Sequence, residues 1–402
     1  MRLLVVGGGH AALPLLAHAR EHVRRGAEVT LLSDRPDLWY SGMTPEWTGG
    51  VYRRADVVVD LPRICADQEV RFVQGTAVAL DRAAREVETA HGQRLGYDLV
   101  AFDVGAVNPG HPGGDAIHTK PLHRIEELGA FLAVPDPGPR QLVVVGGGAA
   151  GVEVALNVTA RPDVRGLRVV VVEPSGRLVG SLPRQVGEWA LRALRERGAS
   201  VRLGTEVEAV EGDAVRLQGG EHVLADAVLW ATGSVGPRFL GASGLRTTES
   251  GFVRVGRGLR ALDDPRVFVA GDAAAVEGHE RLPRIGVHAV KQGPTLRENV
   301  GRALGALRRR QPLADADLAP FRPYPAAPLI LSTGQHTAWF AVGPVAWHGR
   351  AALRLKHAVD RRWIDQYRPP ASYRGHWDAR AARQGPVSGW RAEALPAPQP
   401  VR

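Results

Sequence analysis

Two glycine-rich loops have the residue types and spacing that can bind a pyrophosphate. Both follow the pattern G-x-G-x-x-G between an apolar run and a helical pattern, at Gly7, Gly9 and Ala12 and again at Gly146, Gly148 and Gly151. Glycine lets the backbone turn tightly and approach a phosphate, whose charge then meets the positive end of a helix dipole. Alanine is tolerated at the third position. Because of their strand-to-helix context, the loops predict two dinucleotide sites.

An acidic residue about 20 positions after each loop would bind the ribose of the dinucleotide. In the second unit, Glu173 ends the apolar run and can accept a hydrogen bond from a 2′-hydroxyl while repelling a 2′-phosphate. NADH is therefore favoured over NADPH, although Arg177 lies nearby. In the first unit the run ends in Ser33 and Asp34, so the acid is one residue late. Either Asp34 or, more weakly, Ser33 binds that ribose.

The loops belong to two copies of one unit. Residues 70–78 are matched by residues 201–207, and residues 98–105 by residues 226–233, in the same order and at nearly the same spacing as the loops. A strand, a helix and a second strand in each copy require a parallel sheet covered by helices. The fold class is therefore α/β, with two Rossmann-like dinucleotide-binding domains.

The pattern of elements predicts the domain organisation. The first dinucleotide-binding domain is discontinuous, comprising residues 1–113 and 240–318, and the second comprises residues 114–239. Residues 319–369 form a C-terminal segment in which two strands make a β-hairpin and an amphipathic helix follows. Residues 370–402, rich in Pro, Ala and Arg, are expected to be poorly ordered.

Composition excludes several classes of protein. The net charge is +9, and residues 350–402 contain eleven basic and four acidic residues, which suggests an anionic partner. A nucleic acid is not expected, because no recognition motif accompanies the basic residues. No stretch predicts a spanning helix, and the strand at residues 2–6 leaves no room for a signal peptide. Cys65 is the only cysteine, so the chain has no internal disulfide and no redox dithiol. We expect it to be a small buried residue.

The chain resembles the flavoproteins with two dinucleotide-binding domains, the pyridine nucleotide-disulfide oxidoreductase superfamily. The resemblance covers about residues 1–310 and depends on both loops, on residues 231–233 (Ala-Thr-Gly) and on residues 267–272, which end in Gly271-Asp272. It implies that the first loop binds FAD, that the second binds NAD(P)H, and that Asp272 accepts a hydroxyl of the flavin ribityl chain. The first copy of the Ala-Thr-Gly signature reads Asp-Val-Gly, so only Gly105 is carried over.

The disulfide reductases and the sulfide:quinone oxidoreductases of this superfamily depend on several cysteines, which this chain lacks. The chain is similar instead to type II NADH dehydrogenases, which are NADH:quinone oxidoreductases without a redox cysteine pair. Residues 40–45, Lys120-Pro121 and residues 286–293 are most similar to one subgroup, the type II-like flavoproteins fused to, or encoded beside, selenophosphate synthetase.

Two residues are predicted to be catalytic from this resemblance. Lys291 replaces a glutamine of ordinary type II dehydrogenases, and a cation beside the flavin would stabilise the anionic reduced form; a solvated surface lysine is the alternative. Glu153 matches a glutamate that positions the nicotinamide or couples to protonation; a first-turn acid near the helix dipole is the alternative. The remaining predicted cofactor-binding residues, apart from those of the loops, are His10, Ala11, Ser33, Asp34, Arg35, Gly42, Met43, Ala77, Gly105, Gly233, Gly271 and Asp272, with Lys291, Glu153 and Glu173 counted among them. No metal site is predicted.

The predicted C-terminal helix does not decide between a quinone in a membrane and a soluble electron acceptor. Its predicted apolar stripe is Ala352, Leu355, Val359 and Trp363, with arginines alongside, so that it could lie on an anionic membrane and give access to a quinone. Alternatively it packs on the body or on a second subunit of a homodimer. We predict a cytoplasmic enzyme, peripheral on the inner face of the membrane, that passes electrons from NADH through FAD to a quinone-like acceptor. A soluble protein acceptor such as a ferredoxin, and a nucleotide-sensing module in selenium metabolism, are the alternatives.

Overall fold

A computed structural model describes residues 1–134, 138–334 and 336–368. The predicted tail at residues 370–402 lies outside these ranges. Two parallel five-stranded sheets form the centre of the molecule, as the α/β prediction required. The chain forms the first sheet and its additions with β1 (Arg2–Val6), α1 (Leu13–Leu16), α2 (Arg20–Val23), β2 (Glu28–Ser33), β3 (Asp37–Trp39), α3 (Thr44–Thr48), α4 (Arg54–Val57), β4 (Val58–Asp60), α5 (Leu61–Asp67), β5 (Arg71–Gln74), β6 (Ala77–Asp81), β7 (Glu86–Thr89), β8 (Arg94–Gly96) and β9 (Leu99–Phe102).

The second sheet and the elements around it come next in the chain. The elements are β10 (Ile117–His118), α6 (Ile125–Leu132), β11 (Arg140–Val145), α7 (Ala149–Thr159), β12 (Leu167–Glu173), α8 (Arg184–Glu196), β13 (Ser200–Leu203), β14 (Val207–Glu211), β15 (Ala214–Leu217), β16 (His222–Leu224) and β17 (Ala227–Trp230). The strand order is β10-β17-β11-β12-β13. Val143, Val145, Val170 and Val172 are buried in a separate apolar cluster on one face of this sheet.

The chain then returns to the first sheet. The returning elements are α9 (Arg238–Ala242), β18 (Val253–Val255), β19 (Val267–Val269), β20 (Ala274–Val276) and α10 (Gly286–Arg308). The strand β19 pairs with β9, so the first sheet has the order β19-β9-β1-β2-β5. This return of the chain to the first sheet agrees with a discontinuous first domain. The exact boundaries of the domains stay a proposal.

The C-terminal segment differs from the prediction by one strand. It contains β21 (Leu329–Ser332), β22 (Ala338–Val342), β23 (Val345–Gly349) and α11 (Arg350–Ile364), so that three antiparallel strands replace the two predicted. The third strand forms because Gly343, at φ +52°, supplies the left-handed residue of a tight turn after β22. Short 3₁₀ turns lie at Leu122–Arg124, Gly271–Ala273, Leu313–Asp315 and Asp365–Tyr367.

The pairing of the strands brings separate sequence motifs together. Val6 is opposite Phe102 in the first sheet, and Phe102 is opposite Val269. The residues that follow these strand ends, Gly7, Asp103 and Gly271, therefore meet at one edge. The carboxyl edge of a parallel sheet is where such folds bind their ligands.

Candidate functional site

The first glycine loop is tightly packed at its base. Gly7 has φ +85°, and a Cβ at this position would collide with the backbone of Asp103. Gly9 lies against the Asp103 carboxyl group, whose Oδ2 accepts the N–H of Ala12 at 2.7 Å. Asp103 therefore takes the N–H of Ala12, the N-cap of the short helix α1. Because its glycines allow this close packing, the loop fits the FAD cradle that was predicted.

Gly271 and Asp272 complete this edge. Gly271 has φ +65°, and its N–H donates to Oε1 of the buried Gln292 at 2.8 Å. A Cβ on Gly271 would collide with Asp103, so the close approach itself requires glycine. Asp272 is 2.6 Å from Nζ of Lys120 and is thereby fixed beside the cradle. Sequence reasoning did not find Gln292, although it lies in the 286–293 segment.

Asp103 is buried, and its environment controls its charge. Burial raises the pKa of its carboxyl group to about 7; the N–H groups of Ala12 and Ala11 oppose this shift, and nearby Asp272 adds to it. Sequence reasoning treated Asp103 only as a departure from the Ala-Thr-Gly signature. Its position beneath the first loop means that its ionisation would place a negative charge close to the pyrophosphate.

We expect FAD to dissociate more readily as the pH rises from 6 to 8. Above its raised pKa of about 7, Asp103 loses its proton and repels the cofactor phosphates. In D103N the charge cannot form, so FAD retention after ultrafiltration should be the same at both pH values. D67N, at an exposed residue of α5, is the control and should retain the wild-type dependence. An unchanged pH dependence in D103N would contradict this role.

The second loop has the same features and holds the predicted ribose-binding acid. The N-cap of α7 is Gly148, which has no side chain to cover the start of the helix. Gly151 lies so close to the backbone of Gly146 that a Cβ would collide with it. Glu173 follows directly in β12, and its Oε2 accepts the N–H of Gly147 at 2.6 Å. Nη2 of Arg177 donates to the carbonyl of Leu182 at 2.7 Å. Arg177 is thus engaged with the backbone, which favours NADH.

We expect E173Q to raise the KM for NADH about tenfold, because a charged acceptor for the ribose hydroxyls is lost. The KM for NADPH should change less or fall, since the repulsion of a 2′-phosphate is removed. Steady-state kinetics with both nucleotides measure this difference. E188Q, an exposed change on α8, serves as the control. Equal effects of E173Q on the two nucleotides would show that Glu173 does not contact the ribose.

The other predicted cofactor residues lie in different environments. Ser33 is buried at the end of β2, whereas Asp34 is exposed. Arg35 is 3.0 Å from Asp37 and 2.7 Å from Glu126, so acids already neutralise it. Ala77 begins β6, Gly105 has φ +69° with open space around it, and Gly233 also faces open space. Their contacts with a cofactor stay predictions.

Asn108 joins the two sheets and was missed. Its Nδ2 donates to the carbonyls of Thr232 and Gly233 at 3.1 and 3.0 Å, and its Oδ1 accepts the N–H of Lys120 at 2.7 Å. Through Lys120 it is linked to Asp272. The Ala-Thr-Gly segment of the second unit is therefore connected to the first cradle by side-chain hydrogen bonds.

Lys291 and Glu153, the predicted catalytic residues, lie in different surroundings. Lys291 is in the second turn of α10, one residue before Gln292, and its Nζ lies 4.2 Å from the ring centroid of Tyr324. Its role beside the flavin stays a prediction. Glu153 is buried in α7, and its Oε1 accepts the N–H of Ser332 at 2.7 Å. It therefore belongs to a buried cluster and is not an acid of the first turn of α7.

This acid–lysine cluster consists of Glu46, Glu153, Lys356 and Asp360. Nζ of Lys356 is 3.0 Å from Glu46, 2.9 Å from Asp360 and 3.9 Å from Glu153. It also donates to the carbonyl of Gly42, and Met43 is buried next to it. The cluster joins α3, α7 and α11, which are far apart in the sequence.

The charges of the cluster do not balance when all four groups are ionised. Burial alone would lower the pKa of Lys356, but Asp360, Glu46 and Glu153 together raise it well above its ordinary value, so the lysine is charged. Burial raises the pKa of Glu46 to about 7 and that of Glu153 to about 8, in both cases against the attraction of Lys356. Glu46 and Glu153 thus retain protons near neutral pH.

An aromatic stack connects this cluster to the first glycine loop. The hydroxyl of Tyr40 donates to Asp360 at 2.9 Å, and its ring stacks on Trp363 with centroids 4.2 Å apart. Trp363 also stacks on His10, at 5.2 Å. Burial lowers the pKa of His10 to about 4, although Asp272 opposes the shift, so the imidazole is neutral. The proton-holding groups are therefore connected to the FAD cradle by direct contacts.

Only part of the predicted apolar stripe of α11 is buried. Ala352 and Trp363 are buried, but Leu355 and Val359 are 40% and 52% exposed. The face turned to the body holds Lys356 and Asp360 instead, because their charges are neutralised there. Only the i,i+4 spacing of Lys356 and Asp360 could have indicated this pair from sequence. Cys65 is buried as expected, and burial raises the pKa of its thiol to about 12, which makes it unreactive.

Comparisons with known proteins agree with this geometry. Residues 1–293 match the family model described as pyridine nucleotide-disulphide oxidoreductase. The type II NADH:quinone oxidoreductase of Staphylococcus haemolyticus (strain JCSC1435) is 23% identical over 392 residues, covering 90% of this chain and 95% of that protein. The protein of the same name from Staphylococcus aureus (strain MSSA476) is 25% identical over 393 residues, with the same coverage.

Solved structures have the same fold. The sulfide:quinone oxidoreductase of Aquifex aeolicus superposes with a TM-score of 0.70 at 19% identity, covering 91% of each chain. The ferredoxin reductase for the CYP199A2 system of Rhodopseudomonas palustris gives a TM-score of 0.67 at 20% identity, covering 88% of this chain and 92% of that one.

The chain belongs to the pyridine nucleotide-disulphide oxidoreductase family. It is an FAD-dependent NADH oxidoreductase, and the predicted cofactors, FAD and NADH, are confirmed. Among the helices that the structure describes, we find none with the length and apolar character needed to cross a membrane.

Proposed function

We propose that the protein oxidises NADH and reduces a quinone-like acceptor to the quinol. Bound FAD supplies the redox chemistry, by taking a hydride from NADH and passing on two electrons. The reaction is balanced as NADH, a proton and quinone giving NAD⁺ and quinol. It therefore consumes one proton from the protein or solvent, and no thiol takes part.

The buried cluster of Glu46, Glu153, Lys356 and Asp360 is the observation that carries this proposal. A quinone, unlike a ferredoxin, must be protonated when it is reduced, and Glu46 and Glu153 hold protons near neutral pH. Glu153, in α7, is the group we assign to proton delivery. The relatives described as type II NADH:quinone oxidoreductases, which match 90% of the chain, support this acceptor class.

We further propose that the outer face of α11 and the adjacent hairpin contact an anionic membrane. Leu355, Val359, Val345 and Trp347 are exposed there, and Arg354 and Arg362 lie beside them. Apolar side chains next to arginines are typical of helices that lie in the headgroup region. We propose in addition that the enzyme lies on the cytoplasmic face of the membrane, where it can reach a lipid-soluble quinone.

Three finer assignments belong with this proposal. Residues 40–45 and 286–293 favour the subgroup associated with selenophosphate synthetase. A homodimer is a further proposal, with no residue assigned to it. The basic outer face of α11 also favours a second candidate acceptor, an acidic soluble protein such as a ferredoxin.

NADH turnover should be compared with a short-chain quinone, with a long-chain quinone in anionic vesicles, and with a ferredoxin. We expect quinone to be reduced fastest, and anionic vesicles to accelerate turnover over neutral vesicles. Turnover with ferredoxin that is faster than with either quinone, independent of lipid and abolished by salt, would replace the quinone proposal by the ferredoxin one.

A further inference from the structure

A large groove begins beside Trp363 and extends away from the cofactor and proton-holding sites. It has a volume of about 1430 Å³ and runs between the α1–α2 segment, the outer face of α10 and the turn at residues 365–367. Arg308, the last residue of α10, lines it at one end. At about 1.5 Å per residue, Arg308 is about 25 Å along the helix from Lys291. This end of the groove is therefore separate from the flavin cradle.

The basic residues of the groove are not all neutralised. Arg297 is 2.9 Å from Glu21, and Arg302 is 2.7 Å from Glu298. For Arg25 and Arg308, by contrast, no carboxylate lies within ion-pair distance in the described ranges of the chain. Nε and Nη2 of Arg308 are buried and have no hydrogen-bond partner there either. In the described ranges, the groove thus contains cationic side chains without a carboxylate counter-ion, Arg25 and Arg308 among them.

These two guanidinium groups act on each other and on a buried imidazole. Burial lowers the pKa of Arg308, and Arg25 lowers it further. Burial lowers the pKa of His22; Glu21 opposes the shift, whereas Arg308, Arg25 and Arg297 add to it. A basic residue in the last turn of a helix is favoured by the dipole, which would account for Arg308 alone. The dipole does not account for Arg25, which is close enough to lower the pKa of Arg308, or for the neutral imidazole of His22 beside them.

We propose that this end of the groove binds the phosphate group of a small, soluble phosphorylated ligand, held by Arg25 and Arg308. Guanidinium groups match phosphate oxygens in a bidentate geometry, and the anion would supply the missing acceptors. The groove is larger than the roughly 300–1,000 Å³ of typical small-molecule sites, so a ligand of nucleotide size fits. Its concave shape favours a soluble ligand over a flat bilayer, which would meet the exposed Leu355 and Val359 instead.

Calorimetric titration of the FAD-loaded enzyme tests this site. Inorganic phosphate and AMP are the probes, in phosphate-free buffer, with NAD⁺ saturating the second cradle so that AMP cannot bind there. We expect saturable binding of both anions, weakened about tenfold or more in R308M and in R25M because charge-assisted hydrogen bonds are lost. R195M, an equal charge change at an exposed position of α8, should bind like the wild type.

Three outcomes of this titration and of a vesicle-binding control would overturn the proposal. These are the absence of saturable binding, equal affinity in wild type and both groove variants, or binding only to phosphatidic acid vesicles and not to the free anions. R25M changes an exposed residue after α2, so it tests the site even if R308M is unstable. Because the readout is anion binding, failure of the quinone proposal would leave the result unaffected.

Discussion

Replacing Lys356 by methionine is expected to destabilise the protein by about 3–5 kcal/mol at pH 8, because removing one partner of a buried ion pair leaves uncompensated charge. Three acids surround this amine, and in the variant each would have to keep a proton or remain as an unpaired carboxylate. The unfolding free energy in urea, measured at pH 6 and pH 8, checks this result.

The pH dependence follows from the sign of the shifts. Glu46 and Glu153 have folded-state pKa values raised to about 7 and about 8, above the roughly 4.3 of an unfolded chain. Between those values the folded state binds more protons than the unfolded state, so these groups reduce stability as the pH rises. Without Lys356 the shifts become larger, and the loss in K356M should therefore be greater at pH 8 than at pH 6.

R354M is the matched control for this prediction. Arg354 is on the same helix but exposed, so its replacement should change stability by less than about 1 kcal/mol. A loss in K356M no larger than in R354M, or one independent of pH, would show that the cluster is not an ionised network.

The second large effect is expected from E153Q, which keeps the size of the side chain but cannot release a proton. Quinone reduction should fall about a hundredfold, the usual contribution of a positioned acid or base. Reduction of ferricyanide, which takes electrons without protons, should change by less than about threefold. In the wild type, quinone reduction should fall as the pH rises through about 8, because Glu153 then loses its proton; this step should be absent in E153Q.

Glu188 of α8 supplies the control, since E188Q is equally conservative but exposed. Equal losses of quinone and ferricyanide reduction in E153Q would mean that Glu153 positions the nicotinamide instead of delivering a proton. That outcome would keep the enzyme class and remove the proton-transfer role.

The two cradles were predictable from sequence because local rules determine them. A strand, a glycine turn and a helix are contiguous at Gly7 and again at Gly146, and the acid Glu173 follows at a fixed distance. The repeat then predicts two parallel sheets, because two copies of one unit are expected to form their strands in the same way. Even Gly271 could be assigned, because its family signature is contiguous.

The buried cluster was not predictable, because it joins residues from three distant segments. Glu46 lies in α3, Glu153 in α7 and Lys356 in α11, and nothing in the local pattern of any one segment indicates the other two. The arginine-rich surroundings of Lys356 favoured an exposed basic face. Only the tertiary packing of α11 shows that Lys356 is buried and Leu355 exposed. The same holds for Asn108, whose partners Thr232 and Gly233 are more than a hundred residues away.

Anaerobic mixing of the purified enzyme with one equivalent of NADH, followed by one equivalent of a soluble quinone, tests the central claim most directly. We predict that NADH bleaches the flavin absorption and that the quinone restores it, with one quinol formed for each NADH consumed. Flavin that stays oxidised after NADH, or flavin that is reduced but transfers no electrons to the quinone, would contradict the account.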